Sequence, residues 1–437
     1  MPATAPAPTT TPSPRLAVTA IALWLAACSP TPGHGHGTGG GGTGLDGSGG
    51  MSGGDVDMSV EPILDMSVHA PPDGDCDLDK DGDTFTPCQG DCNDNDPNIY
   101  PGAPRKCNGM DNDCDGMIDD KTDGDNDGYP VCNDCDDANP LINPGAMDVA
   151  NDPIDYDCDG KMNDTDPPCD TNLMSNSNSA LDYAYAMELC PNQFLVGAAF
   201  TVLADARAKQ VAPDWGLFTP HAGKNMVTLS TGIAADENDT APKFVKNETP
   251  QPGTDFNKTN IPNPIPMGQN CGGPDPAKVN DYTELKLTLK VPTNAKSFSF
   301  DFNFLSAEYP EWVCTSFNDK FLAILDSKQF KGNISFDSKG NPVTINSGFF
   351  TLTQAKDLTG TGMETFDFAA NGPVGGATGW LTTTAPVTPG ETITLRLVVF
   401  DEGDGIYDSQ VLIDKFRWSL NATKGGGPLT MRGDGGM

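Results

Sequence analysis

Apolar and polar residues alternate with period two in Glu284-Leu285-Lys286-Leu287-Thr288-Leu289 and in Ser297-Phe298-Ser299-Phe300-Asp301-Phe302-Asn303-Phe304. Thr392 to Phe400 alternates more loosely. This period puts every second side chain on one face, so the runs predict half-buried strands. Clusters of Gly, Pro, Asn and Asp punctuate them at short intervals. Between Asn178 and Cys190 the pattern changes, and Leu181, Tyr185 and Leu189 predict one short helix. The expected fold class over residues 178–420 is mainly β, a jelly-roll-like β-sandwich of roughly 240 residues. The glycine-rich end, 421–437, is expected to be a disordered tail.

One apolar run has a different meaning. Leu16 to Ala26 follows Arg15, has the length of a signal peptide and is too short for a permanent membrane span. It ends in Leu25-Ala26-Ala27-Cys28, followed by Ser29. That string resembles a bacterial lipobox, which implies lipidation of Cys28 as the mature N-terminus. Ser29 is not a retention aspartate, so the resemblance to bacterial lipoproteins implies the outer membrane or cell surface. The competing reading is an ordinary signal peptide, 1–28, with a chance cysteine. Residues 29–72 form a Gly/Pro-rich tether whose composition cannot bury a core. Two of its histidines, His34 and His36, are weak grounds for a transition-metal site.

Residues 73–168 contain two copies of one unit, Asp77 to Asp120 and Asp123 to Asp164. Each opens on an Asp-x-Asp-x-Asp-Gly head: Asp77, Asp79 and Asp81, then Asp123, Asp125 and Asp127. Each closes on a tail of the same form: Asp111, Asp113 and Asp115, then Asp155, Asp157 and Asp159. Behind each head come two cysteines (Cys88 and Cys92; Cys132 and Cys135), an Asp-rich string and Pro-Gly-Ala. Self-similarity of this kind marks repeat architecture. The unit lacks apolar residues for a core, so ions and disulfides have to hold it.

Charge sharpens this picture. The chain carries a net −35, which argues against nucleic acid or anionic lipid as partners and for cations. Asp73 to Asp170 holds 28 aspartates, no glutamate and five basic residues. Without cations such carboxylates repel one another at close range. Carboxylates at alternate positions before a sharply turning glycine suit a hard cation. The loops are not complete EF-hands, because position twelve is Cys88 or Asp134 rather than a bidentate glutamate. Further oxygens are expected from Asp91, Asp94 and Asp96, or from Asp134, Asp136 and Asp137. Asp83 and Asp119 add candidates within their own loops. Calcium accepts six to eight oxygens in flexible geometry, so several calcium ions are the expected cofactor. A disordered acidic spacer and a thiolate zinc site compete; zinc needs reduced thiols in an oxidising compartment. Beyond Cys28, twelve cysteines are disulfide candidates: Cys76, Cys88, Cys92, Cys107, Cys114, Cys132, Cys135, Cys158, Cys169, Cys190, Cys271 and Cys314. Their pairing is open.

Both units resemble the metal-binding repeat of bacterial MopE-like surface proteins, itself reminiscent of thrombospondin type 3 calcium repeats. The resemblance rests on the heads, Asp91-Cys92, Asp134-Cys135, the two Pro-Gly-Ala strings, and Cys107-Asn108-Gly109-Met110-Asp111-Asn112-Asp113-Cys114-Asp115-Gly116. Asn151 stands where Cys107 stands in the first unit, so Cys158 is expected to pair elsewhere or stay free. Some relatives bind copper through a modified tryptophan. None of the five tryptophans lies in the repeats, so copper is not carried over.

Most of 178–420 resembles the choice-of-anchor L family. The strings are Thr228-Leu229-Ser230-Thr231-Gly232, Phe304 to Glu311, Ser316-Phe317-Asn318-Asp319, Thr378 to Thr383 and Val399 to Ser409. The resemblance implies a surface β domain without an established reaction. Taken together the chain resembles a bacterial, myxobacterial-type surface lipoprotein.

Evidence for chemistry is thin. No Gly-x-Ser-x-Gly elbow is present, and His221 is the only histidine after the tether. Glu308 and Glu311 form a candidate acid/base pair, against a reading as polar rim or cation ligands. Asp319, Asp401, Glu402, Asp404 and Asp408 are a candidate further calcium site, against solvated turns. The expectation is a non-enzymatic, lipid-anchored, calcium-binding surface protein. Its repeats form a rigid stalk that displays a β-sandwich for adhesion to a protein or glycan ligand. A secreted polysaccharide hydrolase with the repeats as spacer is the alternative, and a cation store a third reading.

Overall fold

The computed structural model describes residues 76–162, 169–245, 261–265, 274–365 and 375–433. Cys28, the tether 29–72, Cys271 and the closing Asp164 of the second unit lie outside the described residues. No helix among the described residues is long and apolar enough to cross a membrane.

Among the described residues, fourteen strands make up the β domain. They are β1 (Leu195–Val202), β2 (Lys209–Ala212), β3 (Met226–Ser230), β4 (Ile261–Pro262), β5 (Lys278–Lys290), β6 (Ser297–Ser306) and β7 (Lys320–Asp326). Then follow β8 (Lys331–Asn333), β9 (Val343–Thr344), β10 (Gly376–Ala377), β11 (Leu381–Pro386), β12 (Thr392–Asp401), β13 (Ser409–Ser419) and β14 (Leu429–Arg432). One sheet runs β1-β5-β12-β7-β8 with β4 and β9 attached; the other runs β14-β11-β6-β13-β3-β2 with β10 attached. Every recorded strand pairing is antiparallel.

The alternating runs sit at the centre of both sheets. Leu285, Leu287 and Leu289 of β5 face Phe298, Phe300, Phe302 and Phe304 of β6 within one buried cluster. Leu395, Leu397 and Val399 of β12 and Val411 and Ile413 of β13 complete it. Each fully buried Phe or Leu contributes roughly 1.5–3 kcal/mol, so this ladder dominates the stability of the domain. The looser alternation of β12 also has a cause. Val398 and Phe400 point to the other face, where they are covered with Val279, Tyr282 and Leu322 beneath Ile261 and Ile265.

Two expectations need correction. The predicted helix forms as Ala180–Tyr185, but its buried face is Tyr183 and Ala184, while Leu181 is 39% exposed. Tyr183 donates to the Ser177 carbonyl (3.0 Å), which orients that face inward. The expected disordered tail, 421–437, contains β14, which pairs with β11 from Leu429↔Thr384 to Arg432↔Leu381. Arg432 fixes it by donating to Thr351 Oγ1 (3.0 Å) and the Thr378 and Phe349 carbonyls (3.1 and 2.8 Å). Glycine content around the strand hides a four-residue alternation too short to read.

The repeat is built by the same moves twice. Cys92 pairs with Cys114 and Cys135 with Cys158. Cys158 therefore pairs inside its own unit, contrary to the expectation drawn from Asn151. The cysteine that Asn151 replaces has another role. Cys107 reaches forward to Cys132 of the second unit, and Cys76 reaches Cys88 in the same way. These bonds join one unit to what precedes it; Asn151 has no third unit ahead of it to join. Since Cys88, Cys92, Cys132 and Cys135 are all in disulfides, the thiolate zinc reading fails. Cys169 pairs with Cys190, and Cys314 is also disulfide-bonded.

The second unit is docked on the sandwich rather than hung from it. Asn294, in the β5–β6 turn, is wholly buried. Its amide donates to the Met147 carbonyl (2.9 Å) and its Oδ1 accepts from the Met147 N–H (3.1 Å). Thr293 donates through Oγ1 to Asn143 Oδ1 (2.6 Å) and through N–H to the Gly145 carbonyl (2.9 Å). A Cβ at Gly145 would meet the Tyr129 hydroxyl at 2.3 Å and Thr293 at 2.9 Å, so close approach requires glycine there.

Candidate metal centres

Each head loop winds its carboxylates around backbone N–H groups. In the second unit Asp123 accepts from the N–H of Asp127 (3.2 Å) and Gly128 (2.9 Å), and Asp127 accepts from Tyr129 (2.9 Å). In the first unit the matching bonds run from Gly82 and Thr84 to Asp79 (2.6 and 3.1 Å) and from Phe85 to Asp83 (2.8 Å). The equivalent of Asp123-Asp125-Asp127 is thus Asp79-Asp81-Asp83, two residues beyond the sequence motif. Ligand atoms of each of these trios lie within 4.8 Å of one another. Asp77 is exposed and stands beside the Cys76–Cys88 disulfide instead. The motif search chose Asp77 because Gly82 follows its trio, whereas Thr84 occupies the glycine position of the true loop. Thr84 adopts φ +83°, matching Gly128 at +100°.

Behind each trio stand two further carboxylates from the Asp-rich string. Asp91 and Asp134 are buried at 6% and 8% exposure. One oxygen of each accepts from the backbone two residues on, Asn93 or Asp136, at 2.9 Å. The second pair, Asp94 and Asp137, accepts from the second residue of each head: Lys80 N–H (3.0 Å) and Gly124 N–H (2.8 Å). Burial first, and then neighbouring carboxylates, push Asp81, Asp91, Asp125 and Asp134 above the usual carboxylate range. Asp94 is held below it by the Lys80 backbone and side chain.

The decisive observation is what these oxygens do not meet. Asp81, Asp83 and Asp91 in the first head, and Asp125 and Asp134 in the second, each bury an Oδ2 with no hydrogen-bond partner. Buried polar atoms are otherwise almost always paired. All-oxygen donors of this number and convergence fit a hard divalent cation. Asp79, Asp81, Asp83, Asp91 and Asp94 would hold it in one unit; Asp123, Asp125, Asp127, Asp134 and Asp137 in the other. Asp96 and Asp136 do not join them. Asp96 accepts from the backbone and side chain of Asn98 (3.2 and 2.9 Å), and Asp136 is exposed.

The tail loops share the winding but not the surroundings. Asp111 accepts from Asp115 and Gly116 N–H (3.2 and 2.8 Å), and Asp155 from Gly160 N–H (3.0 Å). In the first tail Arg105 lies against Asp113 (3.0 Å) and Asp115 (3.3 Å) and reaches on to Asp137 (3.6 Å). In the second, Lys161 pairs with Asp159. A protein cation thus meets carboxylates in each tail. Asp119 is wholly buried and accepts from Lys106 and Asn112 N–H (3.2 and 3.1 Å). Those bonds fix the tail loop, and its Oδ1 is buried without a partner. Protein cations meet the heads as well, Lys80 at Asp94 (3.1 Å) and Arg105 at Asp137 (3.6 Å), so what sets the heads apart is the second carboxylate pair behind each trio.

In the β domain, Glu308, Asp319, Asp401, Glu402 and Asp408 are all buried at 2% exposure or less. The solvated-turn reading therefore fails for Asp319, Asp401, Glu402 and Asp408, while Asp404 is half-buried. Glu402 belongs elsewhere in the group, because Lys320 bridges it to Asp275. On the outer face of the first sheet, Arg396 pairs with Glu284 and donates to the Tyr282 hydroxyl (3.1 Å). Around them runs an open groove of about 760 Å³, bordered by Thr201, Lys286, Ile324 and Thr394.

Comparison with known proteins follows these boundaries. Residues 201–417 match the family model of the choice-of-anchor L domain. Residues 91–120 and 134–164 match the MopE-type family described as a "putative metal-binding motif". Both matched segments begin at the buried Asp91 or Asp134, so each head loop lies just upstream of its match. No curated protein matches the chain. Among solved structures, a carbohydrate-binding module described for specific mannan recognition overlaps 56% of this chain and 93% of its own, at 10% identity and TM-score 0.23. That overlap is too loose to transfer fold or ligand. The chain thus carries one segment that matches the choice-of-anchor L model and two that match the MopE-type motif.

Proposed function

We propose that this protein is a calcium-binding, surface-displayed binding protein, lipid-anchored at Cys28 to the outer membrane. Calcium in the two head loops stiffens the repeat, and the docked second unit passes that rigidity to the β-sandwich. The observation that supports this reading is the repeated set of buried, unpartnered carboxylate oxygens at Asp81, Asp83, Asp91, Asp125 and Asp134. Calcium suits them better than magnesium, which requires near-ideal octahedral geometry. No helix pair flanks the loops, so the ions hold a shape rather than switch one.

The sandwich acts by binding, not hydrolysis. A glycosidase acid must reach its substrate, yet Glu308 is 2% exposed. The groove around Arg396 and Glu284 is the place for a surface ligand, a glycan being the first candidate.

Calorimetric titration of the protein with calcium tests the first half. Two ions are expected in the repeat, with Asp91→Asn and Asp134→Asn each removing one. Saturable binding that survives both substitutions unchanged would end this assignment. A glycan panel tests the second half: binding without turnover, weakened by Arg396→Ala, is expected.

A further inference from the structure

A second acidic assembly closes the end of the sandwich opposite the docked repeat. Along β5, the repeat-side turn and Asp281 are about 30 Å apart at ~3.3 Å per residue. From the first sheet come Asp281, at a bulge in β5, Asp319, just before β7, and Asp401, the last residue of β12. From the second come Glu308, just after β6, and Asp408, just before β13. All five are buried at 4% exposure or less. Asp319 ties the sheets together: it accepts from Glu402 N–H (3.1 Å) and from Ser409 Oγ (2.7 Å). Asp408 comes so close to Gly232 that a Cβ there would meet its Oδ2 at 1.7 Å, so the approach requires glycine.

Asp401 is the group that demands an explanation. It is 1% exposed, and neither of its oxygens accepts from an N–H or hydroxyl donor; it stands in hydrogen-bonding contact with another carboxylate, Asp319. The groups acting on it electrostatically are Asp319, Asp281, Asp408 and Glu308, all acids. Glu308 Oε2 is likewise buried and unpartnered. Lys320 follows Asp319 in sequence, but its ammonium bridges Asp275 and Glu402. An uncompensated buried charge is strongly destabilising, and the largest electrostatic influences on Asp401 come from other acids.

We propose that Asp281, Glu308, Asp319, Asp401 and Asp408 bind a divalent calcium-class cation that fastens the two sheets together at this end. Oxygen-only donors from both sheets match what calcium accepts. This site is independent of the head loops. Burial, followed by its acidic neighbours, pushes Asp401 well above the carboxylate range when no ion is present, and Glu308 is pushed the same way.

The test uses the full chain, with bound calcium counted by equilibrium dialysis and metal analysis. Asp401→Asn should bind one ion fewer than the unsubstituted chain, while Asp91→Asn and Asp134→Asn keep this ion. Thermal unfolding adds a sign. In calcium, Asp401→Asn should unfold at the lower temperature; in chelator it should unfold at the higher one, because the cost of burying this acid among other acids without an ion is gone. If Asp401→Asn does not fold, Glu308→Gln is measured instead. Terbium gives a readout on the unsubstituted chain. Trp312 lies 6.4 Å from Tyr407, which itself feels Glu308, and the repeats contain no tryptophan. Tryptophan-sensitised terbium emission, lost on adding excess calcium, is expected. Equal ion counts in the substituted and unsubstituted chains would overturn the proposal. So would absence of that emission, or a sandwich transition unmoved by calcium at pH 7, since the acids then hold shared protons rather than an ion.

Discussion

In the repeat, the buried apolar side chains among the described residues are few: Ile99, Ala103, Ile142, Ala146 and Tyr156. In the sandwich, Phe298, Phe300, Phe302, Phe304 and Phe321 alone fill more of the interior than that whole set. The repeat makes up the shortage with four disulfides and with aspartates bonded to backbone N–H groups. The two regions show that a chain can be ordered by area removed from water or by cross-links and carboxylate-to-backbone hydrogen bonds, to which the proposed ions would add. Each route responds to different perturbations. Covalent and ionic order depends on redox state and on the free cation concentration. Hydrophobic order depends on neither.

Four experiments press on that difference, beginning with the largest effect. Phe302→Ala opens a cavity at the centre of the sandwich and should destabilise it by about 3–5 kcal/mol. Denaturant unfolding measures the loss, and calcium binding by the head loops should be unchanged. Chelation should do the reverse. A region that binds an ion at about 100 times its Kd loses ~2.7 kcal/mol when the ion is withdrawn. Limited proteolysis with and without chelator should show cleavage within 76–162 accelerating while the central strands stay protected. Equal cleavage in both conditions would remove the ionic half of the comparison.

The third experiment tests the sandwich by pH. Burial, and then the facing Asp414, raises Glu188 from 4.5 to about 9; Asp170 adds to the rise and Arg417 opposes it. Asp414, which accepts from His221, Ala222 and Lys415 N–H, is raised to about 6. Groups with raised folded-state values contribute stability that is present below their unfolded values and lost as pH rises. The sandwich should therefore weaken from about pH 4.5 upward to pH 9 in thermal scans, and Glu188→Gln should flatten that slope. The smallest effect belongs to Thr84. A β-branched residue at φ +83° is strained by roughly 1–2 kcal/mol, so Thr84→Gly should stabilise the first head by about 1 kcal/mol. The gain should appear as tighter calcium binding at that head alone.

Some elements were legible before the structure. The period-two runs became β5, β6 and β12, because strand alternation and burial share a period. The Asp91 and Asp134 strings were legible as ligand candidates because they recur at a matching distance behind each cysteine pair. Other features were not. Asp77 displaced Asp83 in the motif because a loop's glycine can be replaced by a threonine the pattern does not tolerate. The tails matched the motif equally well, yet among the described residues no second carboxylate pair like Asp91 and Asp94 stands behind them. Asp281 gave no signal, since a lone aspartate in a strand pattern reads as solvent-facing.

By itself the sequence determined which segments could form a core, which could not, and which were dense enough in aspartate to require cations. These are properties of composition and short spacing, and both are local. The tertiary structure decided which carboxylates converge. It brought Asp91 behind Asp79, Asp81 and Asp83, linked Cys107 forward to Cys132, and set Asn294 against Met147. It also gathered Asp281, Glu308, Asp319, Asp401 and Asp408 from five places in the chain. The physical reason is that Coulomb interaction and hydrogen bonding fall off with distance in space, whereas a sequence records distance only along the chain.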